Sequence, residues 1–463
     1  MKRFLILALI AVFALGSAGL ASAGEVDMQA KFQQTFEWTD NTDFFDYDHE
    51  TADQSEDDFD ARQRARIYFH YVANENLKGV FGIESNNNWG DDAGDQGSLG
   101  ANPATLSLED CYLDFNLPGT SFHVRSGMQG FTLPSTMGSP IWDDDVFGIS
   151  TSYSFSEQVS MTLAWHRLYD RTLNNDPVAG RSENDEVDAF FLSVPVTLDG
   201  FSLTPYAMYA HHGADALAFN GNSINNAGLQ AGNATVLGDD LDIWWGGASF
   251  AMDMFDPFMV MADVIYGSVD GGNSSDNDRG GWFFDLGVDY KMDMVTPGLF
   301  FFWGSGDDDD PGDGSEAMPS LGGSFEVTSF GFDGTKGDYK GTDELLGDDN
   351  YGMWGIGAKL ADFSFLENLS HTIRVVYGQG NNDPDLAKKG YATGLTDKDS
   401  FWEVNVDCTY SVYENLTAYL EIGYLALDLD EEPWKNSNTG VWDGDPDDTD
   451  DAWKCSFTLK YGF

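Results

Sequence analysis

Apolar and polar residues alternate without a break at the end of the chain, where Trp453, Cys455, Phe457, Leu459, Tyr461 and Phe463 interleave with Lys454, Ser456, Thr458, Lys460 and Gly462. A period of two marks an extended strand whose successive side chains point to opposite faces. The pattern recurs in Trp402, Val404, Val406, Cys408, Tyr410 and Val412 against Glu403, Asn405, Asp407, Thr409 and Ser411, and again from Leu416 to Ala426. From Phe59 to Ala73 one row holds Ala61, Gln63, Ala65, Ile67, Phe69 and Tyr71, and the other holds Arg62, Arg64, Arg66, Tyr68 and His70. In each case one row is apolar enough for lipid and the other polar enough for water.

The joints between such stretches also alternate. Short ones fall at Asn74 to Asn76, Pro118-Gly119, Ser156 to Gln158, Asp199-Gly200, Asp256-Pro257, Met294 to Pro297, Phe363 to Asn368 and Tyr413 to Asn415. Long acidic ones include Asp40 to Asp58, Asn86 to Thr105, Arg171 to Asp185, His212 to Gly238, Asp307 to Asn350 and Asp428 to Asp451. This asymmetry predicts an all-β fold, an antiparallel transmembrane β-barrel with short periplasmic turns and long extracellular loops. The rhythm gives about 18 strands, or 16 if two weak segments are loop, since such barrels carry an even number with both termini on the turn side. A soluble β-sandwich would alternate too, but its outer face would have to be polar.

The ends of the chain fit export. Lys2 and Arg3 precede an apolar stretch from Phe4 to Leu15 and then Ala21-Ser22-Ala23, so residues 1–23 read as a signal peptide and residues 24–463 as one barrel domain. Beyond the signal no apolar run is long enough for a membrane-spanning helix, a test that barrels escape because only alternate residues face lipid. The formal net charge is −55 although 14% of residues are aromatic. Disordered chains avoid aromatics, so the acid is segregated into loops, and nucleic acid is excluded as a partner. Cys111, Cys408 and Cys455 match no metal-binding spacing; a Cys408–Cys455 bridge is conceivable, but both cysteines fall on lipid-facing rows.

A passive channel needs polar walls, a constriction and a field rather than a catalyst. Arg62, Arg64 and Arg66 share one face, and that face cannot be lipid, where each would cost about 2–4 kcal/mol at midplane. By the same parity Lys31, Arg125, Lys359 and Arg374 point inward. They form either a basic wall or ordinary ion pairs with inward carboxylates such as Asp110, Asp114, Glu403 and Asp407. Residues 127–146 form a candidate constriction loop with two prolines and three consecutive acids, Asp143, Asp144 and Asp145, which would face that wall if the loop folds inward and would be merely solvated if it does not. No cofactor is implied. The run Asp307, Asp308, Asp309 and Asp310 offers oxygen ligands for Ca²⁺ or Mg²⁺ but lacks a complete ion-binding motif. Ions there could bridge the loops to lipopolysaccharide phosphates; otherwise the acids form a solvated surface. Trp38, Trp165, Trp244, Trp245, Trp282, Trp402 and Trp453 suit the interfacial girdles of a barrel. Tyr461 and Phe463 resemble the terminal signal read by barrel-assembly machinery. No GxSxG motif is present and no histidine pairs convincingly with a nucleophile, so an enzyme is not expected.

The stretch from Asp58 to Asp170, with DFDARQRARIYFHYVANENLKGVFGIE, LEDCYLDFNLPGTSFHVRSGMQGFTLPS and IWDDDVFGISTSYSF, resembles the outer membrane homotrimeric porins of sulfate-reducing bacteria of the Desulfovibrio type. The resemblance implies a trimeric diffusion channel in a Gram-negative outer membrane, narrowed by the loop after the fifth strand. It places Arg62, Arg64, Arg66 and Arg125 on the wall and Asp143, Asp144 and Asp145 in the loop. The expected function is passage of small hydrophilic solutes and ions. A substrate-selective channel, or a structural or adhesive barrel with ion-binding loops, is the alternative.

Overall fold

A computed structural model describes residues 24–42, 44, 57–90, 106–170, 186–213, 240–271, 278–310, 312–337, 345–346, 352–389, 394–430, 433 and 450–463. Residues 1–23, expected to be a signal peptide, therefore lie outside the described residues. Nineteen strands form one antiparallel sheet: β1 (Glu25–Asp40), β2 (Asp57–Asn74), β3 (Leu77–Asn88), β4 (Ser107–Asn116), β5 (Phe122–Thr132), β6 (Asp143–Ser154), β7 (Ser160–Asp170), β8 (Glu186–Ser193), β9 (Val196–Leu198), β10 (Phe201–His212), β11 (Leu241–Phe255), β12 (Phe258–Asp270), β13 (Arg279–Tyr290), β14 (Thr296–Gly304), β15 (Met353–Phe363), β16 (Leu369–Gly380), β17 (Ser400–Tyr413), β18 (Leu416–Asp428) and β19 (Ala452–Gly462). A short helix, α1 (Pro384–Lys389), lies between β16 and β17.

Neighbours in sequence are neighbours in the sheet, and β19 returns to pair with β1, so no edge is left open. Both β8 and β9 pair with β10 and are separated only by Val194-Pro195. A proline cannot donate to a ladder, so these two are one interrupted stave and the barrel has 18. At the seam, Ala30 and Phe463 exchange two backbone hydrogen bonds of 3.0 Å, and the Thr35 and Thr458 hydroxyls bond at 2.8 Å. The short joints all lie at the end that holds both termini, as the alternation predicts; the third-to-last of these turns spans 291–295, slightly earlier than Met294 to Pro297.

Parity decides burial. Along β13 the inward row is Arg279, Gly281, Phe283, Asp285, Gly287 and Asp289, while Trp282 of the other row is 51% exposed on the outside. Phe147, Phe190, Trp244, Leu299, Ile356 and Trp402 extend this apolar exterior around the barrel.

The interior corrects the expectation of a uniformly polar lumen. On β8 and β10 to β18 the inward rows carry large apolar residues near the loop end, among them Phe191, Met208, Trp245, Phe283, Phe302 and Phe401. They are buried because two loops fold inward and bring Ile141, Trp142, Phe325, Phe330 and Phe332 against them. Phe325 stands edge-on to Phe283 and to Phe302, each at 5.3 Å, and Phe332 packs on Phe302 and Phe401. Each such ring contributes roughly 1.5–3 kcal/mol by leaving water, and edge-on geometry adds to that. One side of the barrel is thus packed solid, and the other is left polar.

Candidate functional site

The polar side is the inward face of β1 to β5. Parity along β2 turns Arg62, Arg64 and Arg66 inward together, and cross-strand register supplies their partners. Arg62 reaches Glu37 on β1 at 2.9 Å, Arg64 reaches Glu84 on β3 at 3.1 Å and Asn86 at 3.2 Å, and Arg66 reaches Glu84 at 2.5 Å and Glu109 on β4 at 2.7 Å. The Tyr68 hydroxyl donates to Glu109 at 3.3 Å, and Lys31 sits over the Tyr68 ring at 5.7 Å. Arg125 pairs with Asp114 at 3.3 Å while covering Tyr112, and Lys78 and His123 converge on the same carboxylate.

All seven basic residues expected to face inward do so. Lys359 pairs with Asp289 at 3.0 Å, and Arg374 pairs with Asp407. Of the two readings left open, geometry selects ion pairs over a bare basic stripe. A guanidinium held in a narrow interior costs less with a carboxylate beside it. Arg64 and Arg66 are nonetheless 21% and 24% exposed, so their charges meet water, whereas Arg62 at 4% does not.

The candidate loop needs correcting in both extent and chemistry. Residues 127–132 belong to β5 and 143–146 to β6, leaving a loop of 133–142. This loop does fold inward. Thr136 donates to Asp263 on β12 through its N–H and its hydroxyl, both at 2.7 Å, and Ser135 donates to the same carboxylate at 3.2 Å. Asp143, Asp144 and Asp145, expected within this loop, instead begin β6 and are exposed. The reason is energetic: the buried part of the loop is Leu133 and the run from Ser139 to Trp142, and three adjacent acids could not be buried there unpaired. Asp145 lies within electrostatic reach of Arg66, alongside Glu84 and Asp110.

The connection between β14 and β15, expected only as the long acidic loop Asp307 to Asn350, also turns inward over part of its described length. Its described part runs beside the first: the amides of Leu321, Ser324 and Glu326 donate to the carbonyls of Ile141, Ser139 and Met137. Gly138 has φ +91, and a Cβ there would lie 2.2 Å from the Ser324 carbonyl oxygen, so only glycine permits this approach. Further on, Glu403 accepts from the Thr328 hydroxyl and the Gly331 amide, and Asp407 accepts from Ser329. Glu421 accepts from the amides of Lys336 and Gly337, and the Lys454 ammonium donates to the Ser329 carbonyl. The missed signal was the alternation Phe325, Val327 and then Phe330, Phe332 inside an acidic segment.

In this loop Glu326 and Asp333 both have carboxyl pKa values raised above the ordinary range, first by burial and then by neighbouring acids: Asp333 and Asp143 for Glu326, Asp143 for Asp333. Lys336 and Lys454 oppose the shifts. Of the acids expected to hold a cation, Asp308 comes together with Asp313 and Glu316. Asp307 accepts from Ser315 and Ala317, Asp309 faces Lys389, and Asp310 accepts from the Gly312 amide. The 443–449 part of the last acidic loop lies outside the described residues.

Among the expected girdle residues Trp245 is corrected: it is buried inside, donating to the Pro319 carbonyl at 2.8 Å. The three cysteines are free. Cys408 and Cys455 stand on β17 and β19 with β18 between them, too far apart for the Cα separation a disulfide allows. Tyr461 and Phe463 stand at the closing seam with partly exposed rings, 5.8 Å apart.

The closed 18-stave antiparallel barrel, with inward loops and an apolar exterior, places the chain among barrels of the outer-membrane type by fold. Solved structures bear this out. OpdQ of Pseudomonas aeruginosa aligns with TM-score 0.54 and 11% identity over 95% of this chain and 99% of its own. OccAB3 of Acinetobacter baumannii aligns with TM-score 0.55 and 11% identity over 94% and 99%. The outer membrane protein OprD of P. aeruginosa aligns with TM-score 0.52 and 10% identity over 96% and 93%. At such identity the likeness is one of fold. No family model matches the sequence, and no curated protein matches it.

Proposed function

We propose that the protein is an outer-membrane porin, a passive channel for small hydrophilic solutes and ions, with its aqueous route along the inward face of β1 to β5. The observation that carries this reading is the division of the interior: the β1 to β5 wall keeps half-exposed charged side chains, while the opposite side is filled by aromatic residues. The apolar exterior supports a membrane location, since a water-facing barrel would expose polar residues there. Because guanidinium and carboxylate alternate along the route, it discriminates by charge arrangement, which favours a substrate-selective channel over a general one.

Membership in the Desulfovibrio-type porins belongs to this proposal, as do a homotrimer, recognition of Tyr461 and Phe463 by the barrel-assembly machinery, and weak Ca²⁺ or Mg²⁺ binding near Asp308 that would link the acidic loops to lipopolysaccharide.

Purified protein in a planar bilayer should give stepwise conductance, closing in three levels if it is trimeric. Folded barrels that pass no current would remove the proposal.

A further inference from the structure

Behind the first inward loop, two acids meet with nothing to balance them. Asp263 on β12 and Asp285 on β13 are cross-strand partners on the inward face, 1% and 0% exposed. Among the described residues neither is ion-paired, and the charge that acts on Asp285 is that of Asp263. Their outer oxygens are occupied: Asp263 Oδ2 accepts from Ser135 and from the amide and hydroxyl of Thr136, and Asp285 Oδ1 accepts from the Asp263 amide at 2.9 Å.

Among the described residues Asp263 Oδ1 and Asp285 Oδ2 receive no donor, and the Tyr206 hydroxyl finds no partner. Tyr206 on β10 is 6% exposed and within electrostatic reach of both carboxylates. It reaches them across β11 where that strand carries Gly247: a Cβ there would lie 2.7 Å from the phenol oxygen, so the missing side chain opens the way. Three buried oxygens, two of them anionic, thus have no hydrogen-bond partner among the described residues.

An uncompensated buried carboxylate costs several kcal/mol, and two side by side cost more. An all-oxygen set with two negative charges suits a hard divalent cation. Ca²⁺ accepts irregular coordination, whereas Mg²⁺ demands a near-ideal octahedron and keeps its water. We propose that Asp263, Asp285 and Tyr206 form a buried calcium site that clamps loop 133–142 to the barrel wall. The bound ion would hold Asp263 in the orientation that receives Ser135 and Thr136, and so couple the ion to the position of the loop. The rival occupant of the same gap is a single proton shared between the two carboxyls.

The full-length protein, folded in detergent, would be stripped with EGTA, reloaded with Ca²⁺ and washed in high salt to clear the exposed acids, and its retained calcium and melting temperature measured. One retained ion per chain and a melting temperature that falls in EGTA are expected. Asp285→Asn, nearly unchanged in size, should lose both the ion and the sensitivity to EGTA. Should that variant fail to fold, Tyr206→Phe provides the check, retaining Ca²⁺ roughly tenfold less tightly, as expected when a supporting group is lost. Wild-type protein that retains no ion and melts alike with and without EGTA would overturn the site and leave the shared proton in its place. Equal retention by wild type and Asp285→Asn would overturn it too.

Discussion

Arg62 and Arg66 stand two pleats apart on one inward row, yet their surroundings separate them. The Arg62 guanidinium meets Glu37, itself 2% exposed, at 2.9 Å and Asp60 at 3.3 Å, so carboxylates compensate its charge with little help from water. Arg62→Leu takes the guanidinium away from a buried carboxylate and should cost about 3–5 kcal/mol, read as a lower unfolding midpoint in denaturant. Arg66 is reached by water, so Arg66→Gln should fold nearly as well as wild type while leaving Glu84 and Glu109 in excess. Its effect belongs in a salt-gradient measurement, where the reversal potential should move toward cation preference; an unmoved potential would place Arg66 off the ion route. At this scale the sequence was informative where parity alone decides. All seven inward basic residues follow from it, and Trp245 is misread only when parity is ignored, since Trp244 and Trp245 cannot both face out. Which carboxylate each arginine meets depends on strand register, and that is not written in any single strand.

The inward loops show why elements are harder to read than residues. Alternation identified the strands because the barrel repeats one simple constraint, whereas residues 328–337 fold inward through a few long-range contacts to β17, β18 and β19. Composition pointed the other way, since an acid-rich segment looks like solvent-facing surface. The acids that do enter carry a pH dependence. Glu326 and Asp333 bind protons more readily in the packed loop than in a released one, because their folded pKa values are raised. The packed loop is therefore favoured in acid. That advantage is lost as pH rises from the ordinary carboxylate range through the raised values, and above them it is gone. Protease cleavage within 320–337 should accelerate over that interval and then level off. Glu326→Gln should flatten the rise; an unaltered profile would show that Glu326 does not drive it.

For the molecule as a whole, a barrel seen only as alternating strands looks symmetric, with the same polar wall at every stave. The packed aromatic side breaks that symmetry, and the proposed route confines water to the arc of β1 to β5. The two sides respond differently to a single new thiol, once Cys111, Cys408 and Cys455 have been replaced by serine. Tyr68→Cys places the thiol on the polar arc beside Lys31 and Glu109, where a water-soluble methanethiosulfonate should react quickly and reduce conductance by its added bulk and charge. Ala210→Cys lies on the packed side, fully buried at 0% exposure, and should react slowly and leave the current unchanged. Both positions lie on inward rows, so a ring-shaped pore would make them react alike. Comparable rates at the two sites, measured on folded protein in the same bilayer, would mean that water passes through the aromatic side and that the route along β1 to β5 is wrong.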